Sequence, residues 1–384
     1  MASYQNIEEY RRKKRLKRLA RNLLLSAAIL AALFGVLYLC DVFEGSPVEE
    51  WLTGTRTVKE DKFPLTVKKE QLISVYGVGS NLAVLTKSSL LFYDFAGEHL
   101  GTQYHGYTNP VTRESGKRLL TYDRGGLRLR VDSASGKIGE LTMESAIISA
   151  QMSPSGKVAV LMSYRANVPV LVVYDENLEL VYRYFSAEDF TALAFSSDGT
   201  HVLLSSIQSK GGILSTELYE LDSTQTGDSG KTVTLVNDIL PVAISYLSDG
   251  SWMVAGKDSA VCIDARTKAQ TRYEYEGTLQ RLALCGEEAL VLVNEDLFSS
   301  YSTITLLTKG GMPQKTTRIE DEVLDVCCRD GQVYVLGKQS AYRYDFGLKL
   351  QDELPLEKSC KKIGSNAEAA FIMGEDTVQK FPPA

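Results

Sequence analysis

The chain has 384 residues, 44% of them apolar and 23% charged, with a formal net charge of −6. Those proportions exclude a disordered or collagen-like chain and allow a large buried core. The charge is unevenly placed: residues 1–21 carry +6 and the remainder −12, and an acidic domain repels phosphate backbones, which excludes nucleic acid as its partner.

The first predicted element is a membrane anchor. Arg11, Arg12, Lys13, Lys14, Arg15, Lys17, Arg18 and Arg21 crowd eight cations into eleven positions, and an uncharged apolar run follows from Leu23 to Cys40. Eighteen residues at the helical rise span roughly 27 Å, close to the thickness of a bilayer core. Cation-rich flanks stay on the cytoplasmic side and lie near anionic lipid head groups. The predicted order is a basic cytoplasmic tail (1–21), a transmembrane helix acting as signal anchor (22–43), a linker (44–62) and an extracytoplasmic domain (63–384). A cleaved signal peptide would have a shorter apolar region and a small-x-small site, which the flank around Tyr38-Leu39-Cys40-Asp41 lacks. The same bulky residues argue against a lipidated Cys40.

Beyond the span, self-similarity sets the architecture. An apolar strand, a tight turn and a second apolar strand occur at Met152-Ser153-Pro154-Ser155-Gly156-Lys157-Val158, and again at Phe195-Ser196-Ser197-Asp198-Gly199-Thr200-His201. Tyr246-Leu247-Ser248-Asp249-Gly250 and Cys327-Cys328-Arg329-Asp330-Gly331 repeat the frame, with weaker copies ending at 80, 116, 289 and 367. Asp-Gly and Ser-Gly are hairpin chemistry, because Gly accepts positive φ and Asp or Ser bonds the turn backbone. A second register supports the first: Asp94, Asp132, Asp175, Asp222, Asp264 and Asp345 each end an apolar strand, with Thr308 in the degenerate copy. Four strands in a unit of about 40 residues describe a propeller blade. The predicted fold class is therefore all-β, a β-propeller of eight four-stranded blades (seven being the alternative). The last copy stops after three strands, and residues 63–67 are predicted to supply its outer strand, closing the ring without free edges.

The Ser-x-Asp-Gly hairpins and strand-ending Tyr-Asp resemble those of WD-repeat-like bacterial propellers, although no Gly-His…Trp-Asp pair occurs. Most of the chain is similar to a Gram-positive family known as domain of unknown function 5711, Tyr122-Asp123-Arg124-Gly125-Gly126 being the segment that most resembles it. The resemblance implies a basic tail, one span and a propeller on a bacterial cell membrane, and implies no activity.

Signals for chemistry are sparse. His99, His105 and His201 lack metal-ligand spacing, Gly-x-Ser-x-Gly and phosphate-binding loops are absent, and two Trp disfavour a quinone-dependent dehydrogenase. No catalytic, metal or cofactor-binding residue is nominated. Asp123 reads as a turn cap and Arg124 as solvated. Cys285 and Cys327, at the repeat position of Met152 and Phe195, read as small apolar plugs. The favoured function is a non-catalytic binding or scaffold module for a protein or envelope polysaccharide. Its rivals are an envelope hydrolase or lyase using channel carboxylates and a single-span sensor needing a cytoplasmic partner. Binding is expected in the irregular second-to-third-strand loops 164–168, 207–212 and 294–302, with Arg165, Lys210, Phe298 and Tyr301 as candidate contacts.

Overall fold

The alternation of apolar strands and tight turns closes into eight four-stranded antiparallel sheets in the computed structural model. It describes residues 61–381 except 68–69, 164–167, 211, 226–230, 286–287, 295–299 and 367, and the backbone alone of Lys210. The basic run and the apolar span lie outside the described residues. No helix among those described is long and apolar enough to cross a membrane.

Strand β1 (Leu65–Thr66) precedes blade 1, which holds β2 (Leu72–Val78), β3 (Asn81–Thr86), β4 (Ser89–Tyr93) and β5 (His99–Tyr104). Blade 2 holds β6 (Pro110–Ser115), β7 (Arg118–Asp123), β8 (Arg128–Ser133) and β9 (Gly136–Thr142). Blade 3 holds β10 (Ile147–Met152), β11 (Val158–Ser163), β12 (Pro169–Tyr174) and β13 (Leu180–Phe185). Blade 4 holds β14 (Phe190–Phe195), β15 (His201–Lys210), β16 (Ile213–Asp222) and β17 (Thr232–Asn237). Blade 5 holds β18 (Ala243–Tyr246), β19 (Trp252–Ala255), β20 (Ser259–Ile263) and β21 (Gln270–Glu274). Blade 6 holds β22 (Thr278–Cys285), β23 (Glu288–Asn294), β24 (Ser302–Leu307) and β25 (Pro313–Ile319). Blade 7 holds β26 (Val323–Arg329), β27 (Gln332–Gly337), β28 (Ser340–Asp345) and β29 (Leu350–Pro355). Blade 8 holds β30 (Lys362–Ser365), β31 (Ala370–Met373) and β32 (Thr377–Phe381), and β1 completes it.

The middle strands read as unbroken apolar runs because each blade is covered on both faces by its neighbours. Val158-Ala159-Val160-Leu161-Met162 of β11 is buried throughout. Its odd and even members enter different clusters: Val158, Val160 and Met162 pack toward blade 2, Ala159 and Leu161 toward blade 4. Eight such clusters form, one at each junction between adjacent blades. Burial of this area is the main favourable term in the fold.

Turn chemistry sets the strand spacing. At Asp198-Gly199, Oδ1 accepts the Thr200 amide (2.9 Å) and the Ser196 hydroxyl (2.6 Å), which hold the carboxyl down at about 2. Gly199 sits at φ +69°, and a Cβ there would come within 2.7 Å of Ser155 Oγ. The strand-ending carboxylates cap the third-to-fourth turns: Asp175 accepts the amides of Asn177 (2.9 Å) and Glu179 (2.8 Å), and Asp345 those of Gly347 (2.9 Å) and Lys349 (3.0 Å). In the degenerate copy the Thr308 hydroxyl takes the Met312 amide at 3.2 Å.

Asp132 departs from this series. It is fully buried between blades and receives Arg130 in a bidentate pair at 2.5 and 2.7 Å, while Arg130 also donates to the Tyr104 carbonyl of blade 1 at 2.7 Å. The repeat position is filled by an Asp, but the turn begins one residue later, at Ser133. A second difference concerns 207–212. Residues 207–210 of it are strand and not irregular loop: β15 and β16 run ten residues each and stay paired to Lys210↔Ile213. β14 ends opposite Ser206, so β15 runs four residues, roughly 13 Å at the strand rise, beyond it.

Closure follows the predicted three-plus-one pattern. β1 pairs antiparallel with β32 through Leu65↔Val378 and Thr66↔Thr377, and Leu65, Val67, Phe371 and Val378 share one core. Lys380 clasps the incoming chain: its ammonium lies 2.5 Å from Asp61 Oδ2, donates to the Phe95 carbonyl and stacks 4.0 Å from the Phe95 ring centroid. Asp61 and Lys62, which the sequence assigned to the linker, already touch the propeller, with the Lys62 amide bonding Ala96 O at 2.9 Å. The chain thus joins the ring on the face that carries the first-to-second and third-to-fourth turns. Removing residues 44–68 is expected to lower the melting temperature by several degrees, whereas removing 44–58 leaves it unchanged. Thermal denaturation of the two truncations measures this, and equal values would mean another mode of closure.

Candidate functional site

Eight innermost strands line the central channel, and their charges are confined to one side. β6 contributes Arg113 and Glu114, β22 Arg281, β26 Asp325 and Arg329, and β30 Lys362; β2, β10, β14 and β18 contribute none. Four cations and two carboxylates therefore come from blades 2, 6, 7 and 8. A cavity of about 540 Å³ between blades 1, 2, 7 and 8 is lined by Arg113, Glu114, Asp325 and Lys362 together with Tyr76, Thr112 and Cys327. A second cavity of about 420 Å³ lies among blades 3 to 6 near the first-to-second turns, with Phe195, Tyr246, Leu282 and Leu284 in its wall.

Both channel carboxylates are paired. Asp325 accepts Arg281 Nε at 3.2 Å from blade 6 and Lys362 Nζ at 3.4 Å from blade 8. Glu114 accepts Arg329 Nη2 at 2.9 Å, a contact between blades 2 and 7 that crosses the inner ends of blades 8 and 1; Arg329 also reaches the Ser365 carbonyl at 3.3 Å. Burial pushes the Glu114 carboxyl above its ordinary range and Arg329 opposes that. With 39% of the Glu114 side chain still exposed, the effect is screened by solvent. Neither carboxylate stands as a free acid or base beside the other. Arg113 differs: its one hydrogen bond is to the Thr112 carbonyl at 3.5 Å, and it has no carboxylate partner among the described residues.

The long reach of the Glu114–Arg329 pair depends on two glycines. A Cβ on Gly77 would collide with the Ser365 carbonyl, and one on Gly364 would lie 2.6 Å from the Val75 carbonyl. Blades 8 and 1 meet backbone to backbone at this seam, as only glycine permits.

The sequence-nominated residues fare differently. Arg165 and Phe298 lie outside the described residues, as does the side chain of Lys210. Tyr301 is half-buried, with the Arg318 guanidinium 3.2 Å from its ring centroid. The Lys210 backbone and Tyr301 lie toward the face opposite the one where the chain joins the ring, since second-to-third turns and interblade links share that face. Cys285 is not a plug: it forms a disulfide with Cys328, tying the inner strands of blades 6 and 7, because successive residues of β26 point to opposite faces and Cys328 is the one turned toward blade 6. Cys327 keeps a free thiol, pushed up to about 12 by burial and so unreactive. Asp123 accepts the Asn109 amide of the preceding link at 2.7 Å, and Arg124 is exposed. The three histidines are dispersed: His99 contacts Thr102, His201 contacts Thr200 and His105 is buried in a link. No group of three metal-ligating side chains occurs among the described residues. The channel charges escaped the sequence reading because each is a single charged residue in an otherwise apolar strand; their restriction to four strands was the available signal.

Residues 55–381 match a family described as a family of unknown function, DUF5711. The chain belongs to that family. No curated protein matches this DUF5711 chain by sequence. Its fold is similar to the crystal structure of BamB from Moraxella catarrhalis, with 12% identity, a TM-score of 0.53 and coverage of 83% of this chain and 100% of that one. It is likewise similar to Sqt1 from Saccharomyces cerevisiae, with 9% identity, a TM-score of 0.58 and coverage of 83% and 98%. Likeness at such identity concerns the fold alone.

Two outcomes follow for the DUF5711 propeller. Gly364→Val is expected to cost on the order of 1–3 kcal/mol by forcing the seam apart, read as a lower denaturant midpoint. His105 is 5% exposed; its Nδ1 accepts the Tyr107 amide at 3.0 Å, which leaves Nε2 to donate toward the Thr86 carbonyl. Burial holds its pKa below the ordinary 6.5, aided by Arg130 and opposed by the Thr86 bond, Asp123 and Glu70. A lowered His value means stability is complete above 6.5 and is lost as pH falls below it. Denaturation between pH 8 and pH 5 should show that loss, and His105→Asn should flatten it.

Proposed function

We propose that this protein is a membrane-tethered, extracytoplasmic and non-catalytic propeller that binds a protein or a cell-envelope polymer. The observation that carries the binding reading is the β15–β16 hairpin. It projects from the face opposite the chain's point of entrance and leaves Ile207, Ile213 and Leu214 exposed at 41%, 58% and 44%. Apolar side chains grouped on a projecting element mark interaction surfaces. The Lys210 backbone and Tyr301 belong to the same face, and Arg165 and Phe298 lie outside the described residues. The paired state of Asp325 and Glu114 weighs against channel hydrolysis, which needs one carboxyl free to donate and one free to accept a proton. Tethering rests on the charge and apolarity of residues 11–43. The Cys285–Cys328 disulfide supports an oxidising location for the propeller, since such bonds persist outside the cytosol.

Two measurements address this reading. Protease added to wall-stripped cells should digest the propeller or its linker, and a cysteine placed at Ser3 should resist an impermeant label until lysis. Labelling of intact cells would refute the orientation. Crosslinking and co-purification from native membranes should capture a partner with the wild-type chain. Changing Arg165, Lys210, Phe298 and Tyr301 together to Ala should abolish capture with little change in melting temperature. Undiminished capture would refute the site.

A further inference from the structure

We propose that the cavity between blades 1, 2, 7 and 8 is an oxyanion-binding site, in which Arg113 receives a carboxylate or phosphate group of a ligand that enters along the channel. Three observations converge on it. The cavity wall carries Arg113 and Lys362 against Glu114 and Asp325, and Arg281 and Arg329 reach those two carboxylates from the adjoining inner strands, so the innermost strands hold an excess of two positive charges inside a portion of the chain whose net charge is −12. Both carboxylates already hold cations: Asp325 has Arg281 and Lys362, and Glu114 has Arg329. Arg113 is the cation left over, half-buried in the cavity wall with no carboxylate partner among the described residues. A guanidinium held at a cavity wall presents a planar fork of donors, which matches the two oxygens of a carboxylate or phosphate. Low-dielectric walls focus that field along the channel.

The arrangement also gives the site a direction. Inner strands begin at the interblade links, and Lys362 and Asp325 lie near those beginnings. Arg113 follows at mid-strand. The Glu114–Arg329 contact sits further along, where it bridges blades 2 and 7 over the ends of β30 and β2 and forms a floor. A ligand therefore reaches Arg113 from the link face, the same face that presents the β15–β16 hairpin. At about 540 Å³ the cavity admits a small oxyanion or the acidic end of a larger ligand, and is too small for a folded domain.

The test uses the full-length protein in detergent micelles, titrated calorimetrically with inorganic phosphate and, separately, with citrate. Binding of either anion, weakening with added salt, is expected, and the preferred anion distinguishes phosphate from carboxylate chemistry. Arg113→Gln should weaken binding about tenfold or more. Arg113→Lys, which keeps the charge and loses the fork, should fall between. Lys315→Gln on the outer strand β25 should bind like the wild type. Because Arg113 has no ion pair to lose, its Gln variant should melt with the wild type. If neither anion binds, or if Arg113→Gln binds as well as the wild type, the site does not exist as described.

Discussion

Pairing of β1 with β32 is the constraint on which the rest of the structure depends. A ring of sheets has no core of its own at its axis; each blade is stabilised only by the neighbours on its two faces. An unclosed ring would leave two blades half-covered and a strand edge bare. Here the first and last strands of the domain share one sheet, so the chain cannot lose either terminus of the propeller without exposing Leu65, Phe371 and Val378 to water. The clasp of Lys380 on Asp61 and the Phe95 carbonyl adds polar contacts at the same point. Closure brings blades 8 and 1 together at Gly77 and Gly364, and this close approach brings Glu114 and Arg329 within bonding range across two intervening strands.

Closure also explains why the molecule divides its chemistry by face and by side. Strand alternation sends the first-to-second and third-to-fourth turns to one face, where the chain arrives, and leaves the other to the interblade links and the long hairpin of blade 4. Around the channel, blades 3 to 5 contribute innermost strands without charge, while blades 2, 6, 7 and 8 contribute all of it. Rigid walls hold these side chains apart or together with no further cost in chain entropy, so a propeller is well suited to present a fixed set of groups. Blades 6 and 7 gain a covalent tie from Cys285–Cys328, and blades 1 and 2 a buried ionic one from Arg130, Asp132 and the Tyr104 carbonyl. Buried ion pairs are costly to desolvate, but this one satisfies the Asp132 carboxylate and a backbone carbonyl together.

Much of the fold was legible in the amino-acid sequence, and the reason is local. Hairpin turns at Ser-Asp-Gly and strand-ending aspartates are decided by φ and by side-chain hydrogen bonds over a few residues, so their spacing reports the blade repeat directly. The three-strand last copy, with an apolar segment ahead of the first, was enough to infer how the ring closes. The candidate site was far less legible. Arg281, Asp325 and Lys362 come from three blades, and Glu114 and Arg329 are 215 residues apart; no local pattern ties them. Asp132 shows the limit of a repeat register, since its position matches the caps while its surroundings do not. Residues 207–210 show another: a stretch that reads as loop stays in strand when its pairing with 213–216 continues. Cys285 finds its partner in the next blade, where one residue of register separates Cys327 from Cys328 and thereby a free thiol from a disulfide.

The sequence by itself determined the blade repeat, the strand order within each blade and the seam, because these depend on turn chemistry and on which stretches are apolar. Only the tertiary structure decided which charges meet in the channel, which cysteine is bridged and which channel arginine has no carboxylate partner among the described residues. Those outcomes depend on distances between strands brought together by closing the ring, and such distances have no expression in any short segment of the chain.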